Sequence, residues 1–288
     1  MNIHPFHDAA TGTFTYLLDD GAGACAVIDP VMGFDARSGR RDPAPVQQVA
    51  DRIAAQGLRL EWVLETHAHA DHLSAGPWLQ QRFGGQLAIG EHITQVQRVF
   101  RGIYNASDLC PDGSQFDRLL QDGERFAIGR LEVAVMHVPG HTPADVAFRV
   151  LDPAGESDAV FAGDTLFMPA AGTARCDFPG GDARTLFASV QRLLSLPPAT
   201  RLYVCHDYPS EGAAARHVAT VAEHRADNIH VRDGIAQDAF VARRTARDAT
   251  LAMPQLMLPS VQVNIRAGHL PPADGNGTVY LRIPVDRL

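Results

Sequence analysis

Lysine is absent: all 25 basic residues of the 288-residue chain are arginine. Lysine Schiff-base chemistry, pyridoxal attachment and a Walker A phosphate loop are therefore excluded. Cysteine is scarce, with four scattered residues (Cys25, Cys110, Cys176, Cys205) and no Cys-x-x-Cys pair. A disulfide scaffold is not expected at this size. No stretch approaches the ~18 consecutive apolar residues of a membrane span. The start, Met-Asn-Ile-His-Pro-Phe-His-Asp, has no basic segment followed by an apolar run, so the expected compartment is the cytoplasm. Positive charge is in deficit too. A net charge of −8 argues against a broad nucleic-acid or anionic-membrane surface.

What remains is ordinary globular composition, 45% hydrophobic and 20% charged. The length suits one large domain over 1–288, with 207–288 as helices and a Pro/Gly-rich tail appended to it. Strand signals fall at Thr13–Leu18, Cys25–Ile28, Leu60–Glu65, Leu131–Val138, Ala144–Leu151, Asp158–Ala162 and Arg201–Cys205. Helical spacing marks Pro45–Gln56, His72–Phe83, Ile93–Tyr104, Ala183–Leu196, Gly212–Ala226 and Asp238–Ala252. Leu258–Leu270 does not read as helix, and Val279–Ile283 reads as a late strand.

Thirteen histidines are the informative excess, and the clustered ones sit just beyond strands. Ligands of α/β proteins gather there, on loops held by a rigid sheet. After the strand ending at Glu65 comes Thr66-His67-Ala68-His69-Ala70-Asp71-His72. Small alanine spacers let such a loop fold tightly around an ion, and imidazole and carboxylate bind Zn or Fe at ~2.0–2.2 Å. Later strands end in Pro139-Gly140-His141-Thr142, Gly163-Asp164-Thr165 and Cys205-His206-Asp207-Tyr208. Each places one more potential ligand at a strand terminus. His137 is expected to be structural or to orient a ligand. His4, His7, His92, His217, His224, His230 and His269 are expected at the surface or as caps.

In this order the motifs His-Ala-His-Ala-Asp-His, Pro-Gly-His-Thr, Gly-Asp-Thr-Leu-Phe and Cys-His-Asp-Tyr resemble the metallo-β-lactamase superfamily, over roughly residues 10–210. The resemblance implies an α/β fold, a four-layer αββα sandwich with the metal where two sheets meet. It also implies that His67, His69 and His141 match one metal site, that Asp71, His72 and His206 match a second, and that Asp164 lies between them.

Two segments resemble the persulfide dioxygenase branch of that superfamily. Arg175-Cys176-Asp177-Phe178 is similar to its Arg-Thr-Asp-Phe, with Cys176 in place of threonine, and His206-Asp207-Tyr208 matches its His-Asp-Tyr, with Cys205 in place of glycine. The tail, including Leu258–Leu270, is similar to that of bacterial members. This branch implies one Fe(II) per chain, held by His67, His141 and Asp164, with His69, Asp71, His72 and His206 orienting ligands and water. Two histidines and one carboxylate are the ligand set of non-haem iron oxygen chemistry. The implied reaction turns glutathione persulfide and O2 into sulfite and glutathione. Arg175 and Arg266 are candidates for the glutathione carboxylates, because guanidinium forks match carboxylates. Tyr208 is a candidate hydrogen-bonding group near the metal. A homodimer is implied only by the resemblance. The alternative is a dinuclear zinc thioesterase of glyoxalase II type with two Zn, and a β-lactam hydrolase stands third.

Overall fold

The computed structural model describes residues 1–151, 158–209 and 212–288. The chain begins with an antiparallel run of three strands, β1 (Asn2–Asp8), β2 (Thr13–Asp19) and β3 (Ala24–Ile28). β4 (Val31–Asp35) and β5 (Arg40–Asp42) form a small hairpin before helix α1 (Ala44–Gln56). Next come β6 (Arg59–Leu64), short β7 (Leu73–Ser74), α2 (Gly76–Phe83), β8 (Gln86–Gly90), α3 (Ile93–Ile103) and β9 (Arg118–Leu120), with β6, β8 and β9 parallel to one another and β7 antiparallel to β4. The second half runs β10 (Arg125–Ile128), β11 (Leu131–His137), β12 (Val146–Leu151), β13 (Ala159–Phe161), α4 (Ala183–Leu194), β14 (Arg201–Tyr203), β15 (Val218–Thr220), α5 (Val221–Asp227), α6 (Gln237–Asp248) and α7 (Met257–Asn264).

Two six-stranded sheets result, ordered β1-β2-β3-β6-β8-β9 and β10-β11-β12-β13-β14-β15, with a three-stranded sheet β5-β4-β7 beside them. Period-two alternation sorts the side chains into layers. Phe14, Tyr16 and Leu18 of β2 turn inward and meet Phe126, Val135, Phe148 and Phe161 of the other sheet. Leu17 of β2, with Val27 and Val63, turns outward and packs under α1, α2, α3 and α7. On the far side, Met136, Val160 and Leu202 lie under Leu186 and Val190 of α4 and Phe240 of α6. The layers are helix, sheet, sheet, helix, the four-layer sandwich expected.

The chain directions collect the loops at one edge. β3 and β6 are parallel, as are β13 and β14, and two antiparallel steps bring β11 into line with β13. The sheets are stitched together there. The Val146 amide donates to the Thr66 carbonyl at 2.9 Å, and the Phe14 amide to that of Cys205 at 2.7 Å.

Four local expectations are corrected. The helix read from His72 begins at Gly76, because Leu73 and Ser74 pair with β4 and Pro77 sets the first turn. The helix read from Gly212 begins only at Val221, where Thr220 and Glu223 form a capping box. Leu258–Leu270 contains a helix, α7, buried nearly all round. Val279–Ile283 pairs with no strand; the Arg282 amide donates instead to the Gln262 side chain of α7.

Candidate metal centre

Residues 66–72 leave β6 as a buried loop, and His141, Asp164 and His206 follow β11, β13 and β14 at the same edge. Gly140 and Gly163 shape two of these exits with φ values of 143° and 53°. A Cβ on Gly140 would lie 2.3 Å from the backbone of Leu186 in α4, and one on Gly163 would lie 2.7 Å from the Thr66 hydroxyl. Glycine is required at both positions by φ and by space.

The structure brings His67, His141 and Asp164 together. Asp164 Oδ2 is 3.9 Å from His67 Nε2 and 3.6 Å from His141 Nε2, and Asp164 Oδ1 is 3.3 Å from His206 Nε2. Donors sharing one ion at ~2.1 Å lie ~3–3.5 Å apart, so these separations are close to coordination spacing. His69, Asp71 and His72 form a second group, and Asp164, Cys205 and His206 a third, with donor atoms inside each group within 4.8 Å of one another.

Hydrogen bonds around the cluster set which ring nitrogen is free. The Thr66 hydroxyl donates to Asp29 at 2.9 Å, so at 3.0 Å from His67 Nδ1 it accepts the ring N–H. His141 Nδ1 faces the Arg175 carbonyl at 2.7 Å, an acceptor only. His72 Nδ1 lies 3.2 Å from the Asp71 carboxylate, and His69 Nε2 lies 2.9 Å from Asp29. Each ring therefore carries its proton on the outer nitrogen and turns a lone pair inward. Buried His67 Nε2, His69 Nδ1, His72 Nε2 and Asp164 Oδ1 have no hydrogen-bond partner. Several orphaned acceptors in one buried cluster are costly unless a cation fills the space. The His/Asp cluster fits a metal site.

Charge agrees. Burial, then neighbouring imidazoles, hold His67 well below the usual histidine range, which keeps it a neutral ligand. Burial lowers His69 too, but Asp29 and Glu65 prevail and raise it. Burial raises Asp71, yet His206 and His72 prevail and keep its carboxyl well below the usual range.

Other positions differ from expectation. The Arg175 fork closes on Asp177 at 2.6 and 2.7 Å, and its remaining nitrogen donates to the Ala252 carbonyl at 2.7 Å. Arg266 closes on Asp108 at 2.6 and 3.1 Å. Both forks expected to take substrate carboxylates already hold carboxylates of this chain. The Arg-x-Asp spacing lets Arg175 reach its own neighbour. Tyr208 is 66% exposed and stacks on His206, with its hydroxyl 3.3 Å from His206 Nδ1. His137 Nε2 donates to the Pro143 carbonyl at 2.9 Å and lies outside the cluster. His224, expected at the surface or as a cap, is fully buried against Asn228.

Sequence reading missed four supporting residues. Asp29 at the end of β3 holds both His69 and Thr66. Glu65 sits 3.5 Å from His69 and bonds Ser74. Asp145 accepts from the Thr142 amide at 2.7 Å and fixes the His141 turn. Asn264 of α7 donates to the carbonyls of His69 and His72, both at 2.8 Å. Asp29 had a signal, since it too follows a strand; Asn264 had none.

Residues 9–206 match the model of the metallo-beta-lactamase superfamily. The chain belongs to that superfamily. A probable metallo-hydrolase of Burkholderia pseudomallei is 55% identical over the whole of both chains. Glyoxylase B2 of Dictyostelium discoideum is 45% identical over all of this chain and 97% of its own. The human mitochondrial persulfide dioxygenase ETHE1 is 31% identical over 89% of this chain and 84% of its own. Among solved structures, ETHE1 from Myxococcus xanthus superimposes with a TM-score of 0.73 at 27% identity, covering 93% of this chain and all of that one. The protein is thus a metal-dependent enzyme of this superfamily, similar to both its hydrolases and its persulfide dioxygenases.

Proposed function

We propose that the protein is a mononuclear iron persulfide dioxygenase that converts glutathione persulfide, O2 and water into glutathione and sulfite. One observation carries the reading: His67, His141 and Asp164 converge as two free imidazole lone pairs and one carboxylate, with the proton positions set by Thr66 and the Arg175 carbonyl. Iron held there by His67, His141 and Asp164 would supply the electron relay between persulfide sulfur and O2. Similarity to persulfide dioxygenase ETHE1 in sequence and shape supports it.

The chain's own residues do the rest. Asp29 and Glu65 hold His69, and Asn264 fixes the carbonyls of the 69–72 loop, so the ligand loop is braced from outside. Asp71 lies between His72 Nδ1 at 3.2 Å and His206 Nε2 at 3.5 Å and accepts from Thr13 at 2.9 Å. That chain of groups can hold the proton released when water adds to oxidised sulfur.

A second reading, a dinuclear zinc thioesterase of glyoxalase II type, is favoured by the His69, Asp71 and His72 group, whose two free lone pairs suit a second ion. Elemental analysis separates the two. The dioxygenase reading expects one iron per chain and O2 uptake with glutathione persulfide; two zincs and thioester hydrolysis without O2 uptake would replace it.

A further inference from the structure

A slot of about 20 Å³ lies against His141. Its walls are Ala68, Val96, Phe100, Phe178, Met257 and Val261, contributed by the ligand loop, α3, the 175–181 segment and α7. One water needs ~10–15 Å³ of such space and two to four polar partners. The space suffices here, but the slot's side chains offer few partners. The Thr142 hydroxyl donates to Asp145 at 2.5 Å and accepts from the Ala144 amide at 3.1 Å. His141 Nδ1 is committed to the Arg175 carbonyl, and His141 Nε2 faces Asp164. The Phe178 ring meets the His141 ring edge-on at 5.3 Å. A water in this slot would forfeit hydrogen bonds, whereas a small apolar molecule would not.

We propose that this slot is the dioxygen subsite: an apolar cavity formed by Val96, Phe100, Phe178, Met257 and Val261 that holds O2 beside His141. The proposal rests on the dioxygenase reading. O2 is an apolar diatomic that fits about 20 Å³, and a glutathione moiety, bulky and charged, does not. The persulfide therefore approaches from elsewhere, and the two substrates do not compete for one opening.

The experiment has a structural and a kinetic arm. Crystals of the metal-loaded native protein under xenon should show a xenon atom between Val96, Phe100 and Val261. In solution, Val261→Leu adds one methylene to the slot wall. It should raise KM for O2 several-fold in oxygen-electrode assays, with iron content, KM for glutathione persulfide and kcat at saturating O2 unchanged. Val96→Leu, from a different helix, should do the same and guards against a folding defect in the first variant. A slot without xenon overturns the proposal. So does a rise in KM for persulfide in place of O2, which would give the slot to the organic substrate. Xenon in the slot of an enzyme that consumes no O2 with persulfide would refute the dioxygenase reading, and with it oxygen as the occupant, while leaving the dry cavity intact.

Discussion

At the scale of single residues, the metal centre is a set of imidazoles whose tautomers are fixed from behind. Three protein ligands are the fewest that hold such an ion firmly, so His67→Ala, His141→Ala and Asp164→Ala should each lose bound metal and activity together. Near-native iron in Asp164→Ala would contradict the ligand set. His72→Ala and His206→Ala discriminate between the readings. With one iron they remove outer hydrogen-bonding groups and should lower activity ~10–100-fold with metal retained. With two zincs each removes a ligand, and metal content should fall by half. Arg175 is the position where sequence and structure diverge most. Its fork is spent on Asp177 and Ala252, so Arg175→Ala should lower the melting temperature and leave KM for glutathione persulfide nearly unchanged. A ~10–100-fold rise in KM with unaltered melting would restore it as a substrate clamp, since a charge-assisted contact contributes ~1.5–3 kcal/mol. The clustered residues were legible because strand-end histidines declare themselves in order. Their supports were not: Asp29 and Asn264 reach the loop from far along the chain, and only folding brings them there.

At the scale of elements, the sheets were legible and the tail was not. Alternation in β2 and the apolar runs Trp62-Val63-Leu64 of β6 and Ala159-Val160-Phe161 of β13 reflect burial on one or both faces, which sequence records directly. Helix α7 has Pro259, and its Val261-Gln262-Val263-Asn264 run alternates apolar and polar residues, so propensity and periodicity both point away from helix. Packing wins, because Met257, Val261 and Val263 fill the core beside α3 while Asn264 caps the metal loop. Val279–Ile283, exposed except at half-buried Leu281, have strand-like composition but pair with no strand among the described residues. The turn carrying His141 gives an element-level prediction. Gly140→Ala would force φ out of its 143° and push Cβ into the Leu186 backbone, 2.3 Å away. Chemical denaturation should show a loss of roughly 2–4 kcal/mol. A loss within experimental error would mean that this turn and α4 do not pack as described.

At the scale of the whole molecule, acid should loosen the lobe around α5. His224 is fully buried, its ring nitrogen bonded by Asn228, and burial pulls its pKa down to about 4. His230, pulled down to about 4 by burial and then by nearby arginines, accepts from the Thr173 amide. The unfolded chain binds these protons near pH 6.5, so it gains protons first as pH falls. Stability from His224 is complete above pH 6.5 and is lost between 6.5 and about 4, by roughly 3 kcal/mol. His224→Gln should flatten the melting profile over that window; an unchanged profile would contradict its burial as a neutral group. None of the described helices is long and apolar enough to cross a membrane. The His/Asp cluster lies at one edge, where strands of both sheets end. The most direct test is to purify the protein anaerobically, count its metals and follow O2 consumption on addition of glutathione persulfide. The expected result is one iron per chain and one O2 consumed per sulfite formed. Two zincs per chain, with thioester hydrolysis and no oxygen uptake, would contradict it.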